Sequence, residues 1–522
     1  MWLRSSVAVR RLPRGIWNLK GVGGGGSEVS GGGKIDNGGQ ELRRSVPIFV
    51  HGARIAKPFA VHCKSATYSS RQHGATVRVL EKCMVAPPPN TIQEKSLPLT
   101  FFDLPFLHSP LIHHIFFCDY SHPTSHFTNE VIPKLKTSLS LTLQHYFPLA
   151  GNLIIPYNSR KPEIRYANGD SISLAVIESS EDFSLLTSNT ARASDDFYPL
   201  VPKLPPSVCS SSSGALLAPL LAVQVTLFPT AGICVGFTFQ RVPADGNACH
   251  KCGSDEELIA SGSLPYYDRS VIDDPSELSS IFWDQQRNKQ FTSSQPEYVP
   301  TNKVRDTLVM HQSDVQRLKQ IVLEKCPKLS RVSTFTVTCA YVWTCLIKSR
   351  RASGEEIKEN DLEHFMIGAD CRSLIASPLP ANYFGNCLVN CIITAKTVEL
   401  MQESGFIKAA GLIGEVIREK LHNKGGVLNG AEKWLSEIEG LNPERVVGVA
   451  GSPKFAVYDM DFGWGKPRKS EVISIDTTGS ISLNECRDSK GDLEVGLSLP
   501  KVKMEPFSAI FASGIMEAKD QH

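Results

Sequence analysis

The fold is decided by the stretch AGICVGFTFQ at residues 231–240, which is followed at once by RVPADG at residues 241–246. The first segment is apolar, rich in β-branched and aromatic residues and too short for a packed helix, so it predicts a buried strand. Pro243 ends the strand because proline has no N–H for the ladder, and the Asp-Gly pair after it predicts a turn. A rigid turn at the end of a buried strand is a suitable place for a reactive group.

Strands and helices are interleaved along the rest of the first half. Residues 220–228 form a second apolar run, which predicts a partner strand joined to the first through a hairpin at residues 229–232. Ordered structure is predicted to begin with the alternating strand at residues 76–81. A helix is predicted over residues 129–147, with one apolar stripe formed by Val131, Leu135, Leu139 and Leu143.

The second half repeats this mixed pattern, so the whole chain is predicted to be an α/β protein. Ser313 is predicted to cap a helix, residues 333–347 predict a core helix because they are apolar nearly all round, and a third helix is expected around residues 409–421. Short strands are predicted at residues 455–458, 471–475, 480–483, 493–499 and 507–511.

The composition excludes several classes of protein. A net charge of +2 over 522 residues predicts neither a nucleic-acid nor a membrane partner. No segment approaches the run of about 20 apolar residues that a spanning helix needs. The 14 cysteines are scattered, mostly in apolar runs, as buried free thiols are. Cys249 and Cys252 have the spacing of half a zinc site, but no second pair stands near them, so no metal is predicted.

Three segments are predicted from changes in composition. Residues 1–75 are an arginine- and glycine-rich extension without a core, whose start has the profile of an organellar transit peptide. The alternative is an extension irrelevant to the fold, or a mispredicted start. A proline- and serine-rich interval at residues 293–301 predicts a linker, which separates an N-terminal domain at residues 76–292 from a C-terminal domain at residues 302–516.

Two further stretches narrow the function. DFGWGKP at residues 461–467 places two glycines around a tryptophan, and NYFGNCL at residues 382–388 is a second cluster of this kind. With them, the chain resembles the BAHD acyltransferases of plants, of which DFGWG is a hallmark. YFGNC is similar to the mark of the branch that acylates sugar groups of anthocyanins and other phenolic glycosides. The resemblance covers residues 76–516 and includes LPLTFFD at 97–103, FPLAG at 147–151, EVGLSLP at 494–500 and MEPFSAIF at 504–511.

The resemblance implies both a fold and an activity. The fold is α/β, with two similar-sized domains on mixed sheets and a solvent channel between them, like chloramphenicol acetyltransferase. The activity is transfer of malonyl or another acyl group from a coenzyme A thioester to a hydroxyl of a phenolic or flavonoid glycoside. Acyl-CoA is then a co-substrate, no cofactor is bound, and the protein is expected to be a cytoplasmic monomer whose partners are small molecules.

Roles for individual residues also come from the resemblance. The family has a His-x-x-x-Asp-Gly turn whose histidine is the general base, and this turn corresponds here to Arg241 and Asp245. Arg372 is the implied partner of Asp245. The residues implied to be architectural are Gly246, Arg372, Asp461, Phe462, Gly463, Trp464 and Gly465. The marks of the branch are Tyr383, Phe384, Gly385, Asn386 and Cys387. For Trp464, donation to a developing oxyanion is the alternative role.

The chain departs from the family at the position of the base. Arg241 stands there, and a guanidinium with a pKa above about 12 cannot accept a proton at physiological pH. Loss of a positioned base costs roughly 10²–10⁴ in rate. His250 lies beyond the turn and would have to fold back to replace it. The segment at residues 246–267 is also shorter than in the family, where an amphipathic helix is expected.

A further departure concerns the donor. Leu374 stands where the branch has a second arginine, and paired arginines suit a free carboxylate such as that of malonyl. Three interpretations therefore stay open. The chain is an active or residually active acyltransferase, a non-catalytic relative that keeps the fold and binds coenzyme A or the glycoside, or a sequence damaged around Gly246.

Overall fold

The computed structural model describes residues 69–72, 75–157, 160–210, 214–250, 264–274, 276–291, 302–326 and 331–520. The strands in these ranges are β1 Ser69–Gln72, β2 Ala75–Val85, β3 Lys95–Pro98, β4 Ile112–Asp119, β5 Asn152–Pro156, β6 Glu163–Tyr166, β7 Ile172–Ser179, β8 Arg192–Ala193, β9 Val208–Ser210, β10 Ala215–Pro219, β11 Leu221–Phe228, β12 Gly232–Phe239, β13 Lys303–Met310, β14 Leu362–Asp370, β15 Leu388–Lys396, β16 Val446–Ala450, β17 Lys469–Val472, β18 Ile481–Glu485 and β19 Leu493–Pro500.

The α-helices of the described ranges are α1 Thr124–His126, α2 Ile132–His145, α3 Phe183–Leu186, α4 Gly246–His250, α5 Leu278–Gln286, α6 Gln312–Lys325, α7 Thr334–Ala352, α8 Thr397–Leu400, α9 Gly405–Leu421, α10 Trp434–Glu439, α11 Ile475–Thr478 and α12 Lys501–Asp520. A π-helical turn at Phe127–Val131 joins α1 to α2. The 3₁₀-helices lie at Leu104–Phe106, Phe147–Leu149, Ser194–Leu200, Ala431–Lys433, Pro443–Arg445, Pro453–Phe455 and Val457–Asp459.

Each half of the chain is built on a seven-stranded sheet. The N-terminal sheet has the order β1-β2-β7-β11-β12-β4-β17, and the C-terminal sheet has the order β15-β14-β16-β18-β19-β13-β8. Both sheets contain parallel and antiparallel pairs. A five-stranded antiparallel sheet, β3-β6-β5-β10-β9, adds to the N-terminal half. The predicted α/β fold with two mixed sheets is confirmed.

The hairpin predicted from the opening stretch lies in the middle of the N-terminal sheet. Strands β11 and β12 pair antiparallel from Leu221 opposite Phe239 to Phe228 opposite Gly232. Strand β7 flanks β11 and β4 flanks β12, so the residues of both strands are buried except for the half-buried Phe239. A strand covered on both faces reads as a continuous apolar run. The turn at residues 241–245 therefore leaves the sheet from a central, buried strand.

The two halves exchange strands. Strand β17 comes from the second half but pairs with β4 of the N-terminal sheet, from Lys469 opposite Phe117 to Val472 opposite His114. In return, the two-residue strand β8 pairs with β13 at the edge of the C-terminal sheet. Each sheet is thus completed by residues from the other half of the chain.

Buried charges lie where the strands are exchanged. Glu471 on β17 forms ion pairs with Arg192 on β8 and Arg305 on β13, with N–O distances of 2.9 and 3.2 Å. Burial alone would raise the pKa of Glu471, but Arg192, Arg305 and Lys469 outweigh it and lower the pKa to about 2. The carboxylate therefore stays ionised in the interior and connects strands of both halves.

Replacement of Glu471 by glutamine is expected to lower the free energy of unfolding by about 3–5 kcal/mol, because two buried guanidinium groups lose a charged partner. Since the folded pKa of Glu471 is depressed, its contribution is present above about pH 4.5 and is lost as the pH falls towards about 2. Urea unfolding between pH 3 and pH 7 measures this. Glu178→Gln is the matched control, because Glu178 pairs with the half-exposed Arg78 at 2.9 Å. This substitution should lower the free energy of unfolding by less than about 1 kcal/mol. Equal losses of unfolding free energy in the two variants would contradict a stabilising role for the buried ion pairs of Glu471.

Most predicted helices are found in the structure. The stripe of Val131, Leu135, Leu139 and Leu143 is buried, as predicted. Ser333 caps α7, and its hydroxyl accepts a hydrogen bond from the Thr336 amide at 3.0 Å. The cap predicted at Ser313 is wrong, because α6 begins at Gln312 and His311 occupies the N-cap position.

Three other predictions are wrong: the start of ordered structure and two short strands of the second half. Ordered structure begins before residue 76, because β1 pairs with β2. The segment at residues 507–511 is part of α12, where Phe507 and Phe511 pack one turn apart, since a short apolar run does not distinguish a strand from a buried helix. Residues 455–458 form 3₁₀ turns instead of a strand. The predicted linker at residues 293–301 lies outside the described residues.

Candidate active site

The turn after β12 is fixed by Asp245. Its side chain is 1% exposed, and both carboxylate oxygens accept hydrogen bonds. Oδ1 accepts from the Ala248 amide at 2.9 Å, at the start of the neighbouring helix α4, and Oδ2 accepts from the Cys387 amide at 3.0 Å. Because Ala248 and Cys387 belong to different halves of the chain, Asp245 lies where the halves meet.

Arg372 completes the environment of Asp245. Its guanidinium contacts both carboxylate oxygens, at 3.0 Å to Oδ1 and 2.9 Å to Oδ2, which is the bidentate geometry of strong Arg–carboxylate pairs. It also donates to the Gly385 carbonyl at 2.8 Å and pairs with Asp370 at 2.9 Å. Burial alone would lower the pKa of Arg372, but Asp245 outweighs it and raises the pKa above its usual value. The structure thus brings Asp245 and Arg372 together.

Asn386 links the same turn to a second buried carboxylate. Its amide nitrogen donates to Asp103 Oδ1 at 3.0 Å and to the Val242 carbonyl at 2.7 Å. Asp103 in turn accepts from Arg269 Nη1 at 3.0 Å, and Arg269 also donates to the Tyr383 hydroxyl at 2.7 Å. The network therefore fastens the YFGNC segment to the turn and to the LPLTFFD segment.

Sequence reasoning missed Asp103 and Arg269 as parts of this site. Asp103 ends a motif that the resemblance includes. An aspartate directly after Phe101 and Phe102, two residues that are usually buried, was the available signal. Arg269 stands in an unremarkable polar segment, and its partner Asp103 is 166 residues away. No local pattern identifies such a pair.

The other branch-motif residues pack around this network. Tyr383 is fully buried, and the Phe384 ring lies between those of Tyr146 and Tyr267, with centroid distances of 5.7 and 5.4 Å. Gly246 is needed on steric grounds, because a Cβ there would lie 2.9 Å from the Phe455 ring. The motif is therefore part of the contact between the halves.

Gly385→Ala is expected to lower the free energy of unfolding by about 1–3 kcal/mol, because overpacking forces neighbours to shift. The added Cβ would lie 2.3 Å from Arg269 Nη1 and 2.6 Å from the Tyr383 ring. Gly368→Ala, on β14, is the matched control, since its Cβ meets only Leu388 Cδ1 at 3.5 Å. Urea unfolding of both variants checks this, and an unchanged Gly385→Ala protein would show that the site is not tightly packed.

Arg241 is held in the same network. Its Nη1 donates to the Ala244 carbonyl at 2.8 Å and to Asn386 Oδ1 at 2.5 Å. The guanidinium carbon lies 4.2 Å from the centre of the Phe106 ring, a cation–π distance. Arg241 is half-buried. The group at the position of the family's base is thus a proton donor that contacts the turn and the second half of the chain.

Two histidines lie on the neighbouring strand β4. His113 pairs with Thr238 and His114 with Phe237, so both lie on the order of 10 Å along the strand from Arg241. Burial lowers the pKa of His113 to about 4 and that of His114 to about 3, so both are neutral near pH 7. Each is engaged by a hydroxyl, Thr238 Oγ1 at 3.0 Å and Ser470 Oγ at 2.8 Å. Neither stands where the family's base stands.

The DFGWG segment forms a tight turn before β17. Asp461 Oδ1 accepts hydrogen bonds from the amides of Gly463 at 2.7 Å and Gly465 at 3.0 Å. Both glycines have positive φ, 91° and 97°, which favours glycine over other residues. Phe462 is fully buried against Phe116 of β4, with a ring distance of 5.6 Å, and the half-buried Trp464 lies beside it at 6.2 Å. The segment is thus held by backbone hydrogen bonds to Asp461 and by aromatic packing of Phe462 and Trp464.

Two kinds of feature are not found among the described residues. No cluster of three or more histidine, cysteine, aspartate or glutamate residues is arranged to hold a metal among them. No helix in the same ranges is long and apolar enough to span a membrane. Cys252 and the side chains of Cys249 and His250 lie outside the described residues.

Comparison with known proteins extends over nearly all of the described residues. A model of the Transferase family matches residues 75–512. A malonyl-coenzyme A:anthocyanin 3-O-glucoside-6''-O-malonyltransferase of Dahlia pinnata is 42% identical, covering 84% of this chain and 98% of that protein. Phenolic glucoside malonyltransferase 1 of Nicotiana tabacum is 44% identical, with 84% and 99% covered. A coumaroyl-CoA:anthocyanidin 3-O-glucoside-6''-O-coumaroyltransferase of Arabidopsis thaliana is 37% identical, with 84% and 97% covered.

Solved structures share the fold. Vinorine synthase aligns with a TM-score of 0.59 at 18% identity, covering 82% of this chain and 96% of that one. F. graminearum TRI101 in complex with coenzyme A and T-2 mycotoxin aligns with a TM-score of 0.57 at 14% identity, with 80% and 97% covered. At these identities the likeness concerns the fold alone.

Proposed function

The chain belongs to the transferase family of BAHD acyltransferases, and we propose that it transfers malonyl or an aromatic acyl group from coenzyme A to a hydroxyl of a phenolic or flavonoid glycoside. The relatives whose names specify such reactions align over almost their whole length. The proposal further includes a monomeric, cytoplasmic protein that uses acyl-CoA as a co-substrate and needs no bound cofactor.

The observation that carries the proposal is the buried bidentate contact of Asp245 with Arg372. It ties the turn at the end of β12 to the second half of the chain, at the junction of the two halves. A rigid turn is what acyl transfer needs, because the thioester carbonyl and the acceptor hydroxyl must be held within about 3–3.5 Å of each other.

Leu374, two residues after the arginine that pairs with the turn, bears on the acyl donor. Leu374 is half-buried and packs against a hydrophobic cluster to which both halves of the chain contribute. Its apolar side chain offers no charge to a malonyl carboxylate. We therefore propose that aromatic acyl groups are accepted at least as well as malonyl.

The test is release of free coenzyme A from purified full-length protein. Malonyl-CoA and coumaroyl-CoA are each offered with a flavonoid glucoside and with the corresponding aglycone, and the product is identified by mass spectrometry. Acylation of the glucoside above the rate of thioester hydrolysis supports the proposal. Acylation of the aglycone alone would overturn the assignment of the acceptor, and acylation of neither by the native protein or by the Arg241→His variant would overturn the proposed reaction.

A further inference from the structure

Two buried cysteines face each other beside the candidate active site. Cys371 follows β14 directly and Cys387 precedes β15, and both are fully buried free thiols. Their Sγ atoms are 3.5 Å apart. The Cys371 amide donates to the Cys387 carbonyl at 3.1 Å, which continues the ladder beyond the last pair of the two strands, Asp370 opposite Leu388. The two cysteines are therefore direct cross-strand neighbours.

This placement fits a disulfide bond. Residues directly opposite each other on antiparallel strands have Cα atoms about 4.5–5.5 Å apart, which lies inside the range of roughly 4.4–6.8 Å that disulfides span. The two sulfur atoms need to approach by about 1.5 Å to bond, a movement that rotation of the side chains can supply. Cys391, which is buried on β15 of the same hairpin, faces Ile367 and has no thiol opposite it.

The pair stands at the base of the loop that builds the site. The loop at residues 372–386 begins with Arg372 and ends with Asn386, the two residues that fix the turn through Asp245 and Val242. The Cys387 amide itself donates to Asp245. A covalent bond between the cysteines would hold both ends of this loop together.

We propose that Cys371 and Cys387 are a redox modification site, which hydrogen peroxide oxidises to a reversible disulfide that cross-links the base of the loop carrying Arg372 and Asn386. The inference concerns a modification of the chain and does not depend on the proposed acyl transfer. It gives a role to the side chain of Cys387 in the YFGNC motif. In the hydrogen bonds of the candidate active site, Cys387 takes part only through its backbone amide.

The oxidation balances with peroxide as the oxidant. The thiolate of one cysteine attacks a peroxide oxygen, the O–O bond breaks, and the departing hydroxide takes up a proton to form water. The resulting sulfenic acid is attacked by the second thiolate, the S–O bond breaks, and a second water leaves. The two thiols together give up two electrons and two protons, and a small dithiol reverses the bond by thiol–disulfide exchange.

The reduced pair is protected in the resting protein. The hydrogen bond with Cys371 and burial both raise the pKa of Cys387, so its reactive thiolate is scarce at neutral pH. Oxidation is therefore slow and requires a small oxidant. This separates the pair from an exposed sensor cysteine and sets the conditions of the experiment.

The experiment uses full-length reduced protein, incubated for hours with millimolar hydrogen peroxide, alkylated in denaturant and digested for mass spectrometry. A peptide pair linked through Cys371 and Cys387 is expected, and dithiothreitol should remove it. Closing a loop of this length should raise the thermal unfolding midpoint by about 3–5 °C. Cys371→Ala should show neither effect. Cys391→Ala, the matched control, should show both.

Three results would overturn the proposal. Recovery of Cys371 and Cys387 as separately alkylated thiols would show that the pair is not oxidised. Recovery as separate sulfinic or sulfonic acids would show that the second thiol does not resolve the first. A linked peptide in a protein with an unchanged or lower thermal midpoint would show that the disulfide does not stabilise the loop at residues 372–386. None of these readouts requires catalytic activity.

Discussion

Asp245→Asn is expected to lower the free energy of unfolding by about 3–5 kcal/mol, the cost of leaving a buried charge without its partner. The substitution keeps the size of the side chain but changes one oxygen into a donor. Both oxygens of Asp245 accept hydrogen bonds, from Ala248 and Cys387 and from the two terminal nitrogens of Arg372. The new amide group must therefore face another donor in either orientation, and Arg372 loses its buried counter-charge.

The matched control is Asp370→Asn. Asp370 pairs with the same guanidinium at the same distance, 2.9 Å, but its side chain is 43% exposed. Water and salt screen such a pair, so the loss should stay below about 1 kcal/mol. Urea unfolding followed by tryptophan fluorescence measures both variants. A loss at Asp245 no larger than that at Asp370 would show that the turn is not fixed by this contact.

The fold could be predicted from the sequence where patterns are local. The apolar run at residues 231–240 is long enough and free enough of charge to indicate a central strand, and β12 is found there. The buried face of α2 could be predicted because Leu135 and Leu139 are four residues apart, the spacing of one helix face. The C-terminal helix was missed because the apolar spacing of Phe507 and Phe511 also suits a short strand, and packing in the C-terminal core decides between the two.

The exchange of strands could not be predicted. Strand β8 has only two residues, Arg192 and Ala193, and no periodicity can be read from two residues. It pairs with β13, and its Arg192 forms an ion pair with Glu471, so its contacts are with distant parts of the chain. Long-range charge pairs leave no mark in a single sequence, since each partner alone resembles a surface residue.

In the candidate site, too, local motifs identified some residues and only the structure identified others. Motifs pointed to Asp245, Arg372 and the YFGNC segment, and the structure places these residues in contact across the junction of the halves. The Asp103–Asn386 contact spans 283 residues and came only from the structure. For Arg241 we predict a loss of function, because a guanidinium that cannot accept a proton stands where the family has its base.

Arg241→His is expected to raise the rate of acyl transfer by roughly 10²–10⁴, the contribution of a positioned general base. The native guanidinium cannot accept the acceptor's proton, and its Nη1 donates to Asn386 and Ala244. An imidazole at the end of β12 can accept that proton. The rate of the variant should then rise with pH through an apparent pKa near 6.5, the usual value of histidine.

Arg241→Gln is the matched control for this substitution. It removes the same guanidinium and the same charge but supplies no base, so its rate should stay near that of the native protein. Both variants lose the hydrogen bond to the buried Asn386 oxygen, at a cost of about 1–3 kcal/mol. Equal thermal midpoints for the two variants would show that a difference in rate comes from the base and not from folding.

The decisive measurement is the steady-state release of coenzyme A by native protein, Arg241→His and Arg241→Gln, with coumaroyl- or malonyl-CoA and a flavonoid glucoside over pH 5 to 9. We expect slow turnover by the native protein and Arg241→Gln, and fast, pH-dependent turnover by Arg241→His. Native turnover at ordinary enzyme rates, roughly 1–10³ s⁻¹, would contradict the claim that Arg241 leaves this acyltransferase without its general base.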